Sequence, residues 1–233
     1  MRCVFSFQIE YFPIKYRLLL LSFIKEITRS QSEEFYQSFF VEREKETKRF
    51  SFAPYFPNIR IDGDLIVSEE LNLTVSSTNM EMMIYLINGI QQKREYSYKG
   101  RVMKFTGMKM VKEKPIVQSQ VWFKTLSPIL VESKERKPLL VGDDNFEEEL
   151  NIISSKIMQS KYGRTLYQPI KILKHQMKKS VVKENLHQSS GDLYFTGNTG
   201  RFLLEGDPRD LRIFYSEGIA LRSNQGFGCI DVL

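Results

Sequence analysis

Two periodicities alternate along this chain in an order that few folds accommodate. Met1–Glu10 (MRCVFSFQIE) puts Cys3, Phe5, Phe7 and Ile9 on one side, the period-two pattern of a half-buried strand. After Pro13, Ile14, Leu18, Leu21, Ile24 and Ile27 fall at helical spacing and predict a core-facing helix to about Arg29. Ser30–Thr47 is polar around an aromatic knot (Phe35, Tyr36, Phe39, Phe40) and reads as a second short helix. Alternation resumes over Lys48–Ala53. Asp62-Gly63-Asp64 then supplies a turn before a strand over Leu65–Ser76. Thr78 or Asn79 can cap a helix carrying Met80, Met83, Ile84, Ile87 and Ile90, and Arg101–Val111 is again strand-like.

That order is strand, helix, strand, strand, helix, strand, the βαββαβ unit of a ferredoxin-like domain. It then recurs. Val117–Val131 reads as a strand broken near Pro128, and Asp144 or Asn145 caps a helix from Phe146 to about Lys161. Ile170–Val182 and Gly191–Glu205 form a pair of strands. Asp207-Pro208 opens a helix to about Glu217, with proline in its favoured first turn, and Gly228–Leu233 is a last strand. The expected class is α+β, two tandem ferredoxin-like (βαββαβ) domains over residues 1–113 and 114–233. The halves share no recognisable sequence identity, so the repetition is topological.

Composition narrows the partner. The 233 residues are 42% hydrophobic and 27% charged, ordinary for a globular protein, with net charge +6 and pI about 9.1. Charge is segregated: Lys93–Lys137 holds 12 Lys/Arg against 4 Asp/Glu, and Lys156–Lys183 holds 8 against none. Acids gather in stretches such as Asp143–Glu149. A nucleic-acid track leaves this footprint, and so does a solvated face. Only Cys3 and Cys229 are present, which points away from a disulfide framework and toward a reducing, cytoplasmic setting. With His175 and His187 the only histidines, no paired spacing suits a structural metal, and no cofactor is expected. Apolar runs such as Leu18–Leu21 are far below the ~20 residues of a membrane span, and no secretory signal is expected.

Ser216–Leu233 (SEGIALRSNQGFGCIDVL) sets three glycines, Gly218, Gly226 and Gly228, around the polar residues Arg222, Ser223, Asn224 and Gln225. Amides exposed in such a loop can cradle a phosphate. A Walker-type loop requires Gly-Lys-[Ser/Thr], which is missing here. The aromatic strand of an RRM needs more stacking residues than Phe227 alone, and a helix and strand after it.

Helix, glycine-rich loop and final strand, with GIALRSNQGFGCIDV, resemble the CRISPR-associated RAMP superfamily, and within it the endoribonucleases that process repeat RNA. KRFSFAP (Lys48–Pro54), TLSPILV (Thr125–Val131) and GRFLLEGDPRDLRIFYSEGI (Gly200–Ile219) extend the likeness over essentially the whole chain. The resemblance implies metal-independent cleavage of CRISPR repeat RNA, with the ribose 2′-OH attacking the adjacent phosphate to leave a 2′,3′-cyclic end. It implies no membrane, a monomer or homodimer, and a CRISPR effector complex as a further partner. A catalytically silent RNA-binding subunit of the same fold is the alternative.

The chemistry needs a base for the 2′-OH, an acid for the 5′-oxygen and positive charge at the phosphate. Family members commonly place a histidine after the first helix. Here residues 1–174 contain none, and that region reads Gln37-Ser38-Phe39-Phe40-Val41-Glu42. The catalytic candidates are therefore Lys48, which matches the family lysine, with Lys25 and Tyr36; Lys45 and Arg49 lie nearby in sequence. For RNA binding the candidates are Gly218, Arg222, Ser223, Asn224, Gln225, Gly226 and Gly228, with Lys171, Lys174, Lys178 and Lys179. Plain alternation would put Lys174 and Lys178 on one side of their strand and Lys171 and Lys179 on the other.

Overall fold

The computed structural model describes residues 1–42, 46–98, 100–184 and 191–233, so Lys45 and His187 lie outside the described residues. β1 (Arg2–Gln8) is the centre of the first sheet, pairing antiparallel with both β6 (Glu70–Ser77) and β8 (Arg101–Met110). β3 (Phe50–Tyr55) adds outside β6, and β7 (Glu95–Tyr98) outside β8. The order β3-β6-β1-β8 is second, third, first and fourth strand, the ferredoxin-like arrangement, with β7 appended. One face is covered by α1 (Arg17–Gln31) and α3 (Met80–Lys93). Phe5 and Phe7 of β1 meet Phe23, Ile24 and Ile27 of α1, and Met82, Leu86 and Ile90 of α3 in one core. Each such side chain gains about 1.5–3 kcal/mol on burial. The two helices approach so closely at Gly89 that a Cβ there would lie 2.6 Å from Ile27.

The second half repeats the plan. β9 (Gln120–Thr125), β10 (Lys171–Glu184), β11 (Leu193–Glu205) and β12 (Ile230–Val232) form a sheet in the order β10-β11-β9-β12, again second, third, first, fourth. α4 (Phe146–Tyr162) and α5 (Pro208–Glu217) cover one face, and Phe123, Phe202, Leu204 and Ile230 bury against Leu150, Leu211 and Phe214. The mixed α and β architecture expected from the sequence is thus observed. Asp207 caps α5 through the Arg209 amide, and Asn79 caps α3 through Met82.

Several local expectations need correction. The run Leu65–Ser76 is two strands, because Ser68 turns its hydroxyl onto the carbonyls of Pro57 and Glu70 and breaks the ladder. β5 (Leu65–Val67) instead pairs with β2 (Tyr11–Pro13) and β4 (Arg60–Asp62) in a small sheet that periodicity did not announce. Past β9, Pro128 interrupts pairing, and Ile129 resumes it with a two-way bridge to Asn198 at 2.9 Å. The short helix after α1 is α2 (Glu33–Tyr36) followed by a π-turn over Gln37–Val41, where Glu42 N–H reaches back to Gln37. π-turns are often found at functional sites.

Candidate nucleic-acid interface

The aromatic knot in the π-turn gathers all three catalytic candidates. Phe39 and Phe40 stand edge to face at 4.9 Å, and Tyr36 lies 5.7 Å from Phe40. The Lys25 ammonium, from the middle of α1, sits 5.6 Å from the Phe40 ring; Lys48, only 6% exposed, sits 5.7 Å from the Phe39 ring. Tyr36 lies under the Arg29 guanidinium at 5.3 Å. Ring faces carry negative quadrupole potential and hold cations in this way. Beside the knot, Phe39, Thr47, Lys48, Arg49 and Asn79 from the first half and Lys161 from the second line a cleft of about 400 Å³. Lys48 therefore stands where the halves meet.

That junction is fixed by buried ions. Arg49 donates to the Lys161 carbonyl and stacks 4.5 Å over Tyr162. Lys161 in turn pairs with Glu217 at 2.9 Å, with both side chains essentially inaccessible. Glu217 also accepts from Tyr162 at 2.5 Å and from the Thr78 hydroxyl. Burial pulls the Lys161 ammonium below its ordinary range while Glu217 opposes it, and burial beside Glu217 pushes the Tyr162 phenol up to about 12. At the other end Arg2, buried on β1, spans the halves to Asp231 at 3.0 Å and the Ile230 carbonyl at 2.8 Å, over the Tyr215 ring. Arg17 holds Glu184 at 3.0 Å; burial pushes that carboxyl up, and Arg17 works against the shift.

The glycine-rich segment does not present the open row of amides expected of it. Gly218 is buried and donates to Phe214 O at 2.9 Å; Gly228 is buried and donates to Pro128 O at 2.8 Å. Each sits at positive φ where a side chain has no room: a Cβ on Gly228 would lie 2.0 Å from Ile219 O. Gly226 packs against Phe52 and gives its carbonyl to Arg17 Nε at 3.1 Å. Gly218, against Ser51, and Gly226, against Phe52 and Arg17, are close-packed joints between the halves, and Gly228, against Ile219, is one within the second half. Ser223 is buried too. Arg222, Asn224 and Gln225 stay half-buried, with Arg222 donating to Gln225 Oε1 at 2.9 Å and lying 5.0 Å from the Phe195 ring. Sequence could show that glycine was required but not which atom required it.

Lys171, Lys174, Lys178 and Lys179 are all exposed on β10, but their phase differs from simple alternation. Lys171 pairs with Glu205, Lys174 with Leu203, Lys178 with Thr199 and Lys179 with Asn198, and the register slips between Ile172 and Lys174. The slip is a bulge, which adds a residue and re-phases the strand. Lys171 therefore joins Lys174 and Lys178 on the open face of the sheet, and Lys179 lies opposite. His175 pairs with Phe202, on the face away from Lys174 and Lys178, and is exposed. The periodicity argument passed over Arg2, Arg17, Lys161 and Glu217, since charges within amphipathic strands and helices read as solvent-facing. It also passed over Trp122, though its alternation with buried Phe123 marked it for the open face.

Residues 111–232, more than half the chain, match the family model described as CRISPR associated protein Cas6, C-terminal. The chain belongs to the Cas6 family. It is similar, at 24% identity over 185 residues, to a CRISPR-associated endoribonuclease-like protein Cas6 of Pyrococcus furiosus, covering 73% of this chain and 71% of that one. Its fold matches the structure of a Cas6-related gene product from Pyrococcus furiosus with TM-score 0.80 at 21% identity, over 100% of this chain and 98% of the other. It also matches a structure described as an RAMP protein binding different RNA substrates, with TM-score 0.78 at 19% identity over 100% and 99%. A Cas6 product complex aligns with TM-score 0.69 at 12% identity over the same shares. At these identities the structural likenesses speak for the fold. Among the described residues no group of three or more His, Cys, Asp or Glu side chains is gathered as for a metal, and no helix is long and apolar enough to cross a membrane.

Proposed function

We propose that this Cas6-family protein binds CRISPR repeat RNA between two ferredoxin-like domains, residues 1–113 and 114–233, and cleaves it at the cleft holding Lys48. The observation that carries this reading is the placement of Lys48 between Phe39 and the junction with the second half, beside Arg49 and Lys161. In the reaction the ribose 2′-oxygen attacks the adjacent phosphorus as its proton leaves. The bond from phosphorus to the 5′-oxygen then breaks and that oxygen is protonated, leaving a 2′,3′-cyclic phosphate and a 5′-hydroxyl. Lys48 and Lys25 stabilise charge on the scissile phosphate and Tyr36 assists proton movement. A lysine, protonated near neutrality, is a poorer general base than imidazole. Removing a general acid or base slows reactions ~10²–10⁴-fold, so cleavage is slow.

The absence of histidine from residues 1–174 favours a second reading, an RNA-binding subunit that does not cut. Incubating the protein with end-labelled repeat RNA in EDTA separates the two. One product ending in a cyclic phosphate is the expected result, with a single-turnover rate at least ~10²-fold lower for Lys48→Ala. Tight binding with intact RNA would establish the silent subunit. Cleavage at an unchanged rate in Lys48→Ala would remove Lys48 from the mechanism.

A further inference from the structure

The chain's single tryptophan stands on the open face of the second sheet, away from α4 and α5. Trp122 on β9 is 38% exposed and pairs with Leu203 on β11, which pairs with Lys174 on β10. On its other side the Leu233 amide donates to Trp122 O at 3.0 Å, and Leu233 is 45% exposed. An apolar row of Leu203, Trp122 and Leu233 thus crosses the sheet with a lysine at one end. The next row, about 6.8 Å along the strands, is Gln176, Arg201, Lys124 and Asp231, and the row beyond holds Lys178 and Thr199. Lys124 lies 3.4 Å from Asp231; among the described residues Lys174, Lys178 and Arg201 are paired with no carboxylate.

A partly exposed indole within an apolar row offers a flat face to a ligand, and the surrounding cations select which ligand fits. A phosphate strand satisfies the cations, and a nucleobase offers the indole a flat partner. Both needs are met by one polymer only when its bases are free, because duplex RNA buries the faces of its bases within the stack. We infer that Trp122 stacks on an unpaired nucleobase of an RNA strand crossing this face, with Lys174 in its own row and Arg201, Lys124 and Lys178 in the rows to one side holding the phosphates. The inference rests on the RNA-binding reading above and extends it to a single-stranded segment of the substrate, held apart from the Lys48 cleft. It also relocates the stacking surface: Phe227 of the glycine-rich segment is buried, whereas Trp122 is open.

Because Trp122 is the only tryptophan, its emission reports this site alone. The wild-type protein is titrated with a dye-labelled, unstructured RNA oligonucleotide and with an RNA duplex, following dye anisotropy and tryptophan emission in parallel. The single strand is expected to quench the emission in step with the anisotropy, and the duplex to leave it unquenched. Trp122→Ala should weaken single-strand affinity about 5- to 150-fold with an unchanged salt slope, since stacking releases no counterions. Trp122→Phe should recover most of the affinity, as a smaller ring that still stacks. Rising anisotropy without quenching, together with wild-type affinity in Trp122→Ala, overturns the inference and leaves the RNA-binding reading standing. Absence of any anisotropy change overturns both. Should Trp122→Ala fold poorly, the wild-type quenching still decides.

Discussion

Replacing Glu217 with glutamine tests whether the junction around the cleft depends on a buried ion pair. Glu217 is inaccessible and accepts from Lys161, Tyr162 and Thr78. Glutamine keeps the shape and can still accept from the two hydroxyls, but Lys161 loses its counter-ion. If Lys161 stays charged it becomes an uncompensated buried cation, at a cost of about 3–5 kcal/mol. If it folds neutral, removing a proton from an amine of ordinary pKa about 10.4 at pH 7 costs about 4.6 kcal/mol, at about 1.36 kcal/mol per unit. The cheaper route sets the loss, so Glu217→Gln should lose about 3–4.6 kcal/mol in urea unfolding at pH 7. The sign with pH follows from the neutral route. Burial already pulls Lys161 down, and without Glu217 its folded pKa falls further below the unfolded one. The unfolded variant then binds a proton that the folded variant lacks, so its stability rises with pH across that interval. Up to about 1.4 kcal/mol should return per unit between pH 7 and pH 9. Lys161→Met added to Glu217→Gln removes the stranded charge and should restore most of the loss. A loss under about 1 kcal/mol at pH 7, or one of equal size at both pH values, would contradict this account.

Gly228→Ala puts a methyl carbon 2.0 Å from Ile219 O at a residue with φ of +61°. The left-handed backbone alone costs ~1–2 kcal/mol, so a loss above ~2 kcal/mol in the same urea assay is expected; a near-neutral result would show that the segment is not packed as described. Lys171→Ala, Lys174→Ala and Lys178→Ala should each lower the salt slope of RNA affinity by about one, while Lys179→Ala leaves it unchanged. An equal effect at Lys179, or none at Lys171, would mean that the bulge in β10 does not set which lysines face RNA.

How much was readable in advance differs between fold and site. The twofold βαββαβ order, a cap at Thr78 or Asn79, the helix start at Asp207-Pro208 and the break near Pro128 were legible, because each depends on residues within a turn or two of one another. The small sheet of β2, β5 and β4 was not: its strands are three residues long, too short for any period to register. The basic strand β10 stood out by composition, yet the side of the sheet its lysines occupy did not. One extra residue at the bulge, invisible to a count of alternate positions, moved Lys171 to the other face.

From local pattern alone the sequence determined two sheets backed by helices, two basic stretches and three positions in one loop that call for glycine, because hydrophobic period, local charge and residue conformation act over a few positions. Tertiary structure decided what each feature is for. Arg2 meets Asp231, Lys161 meets Glu217 and Lys48 meets the cleft across separations of tens to hundreds of residues. Whether a charge is buried and paired or open to a ligand depends on what the rest of the chain brings against it, and no neighbour in sequence carries that information.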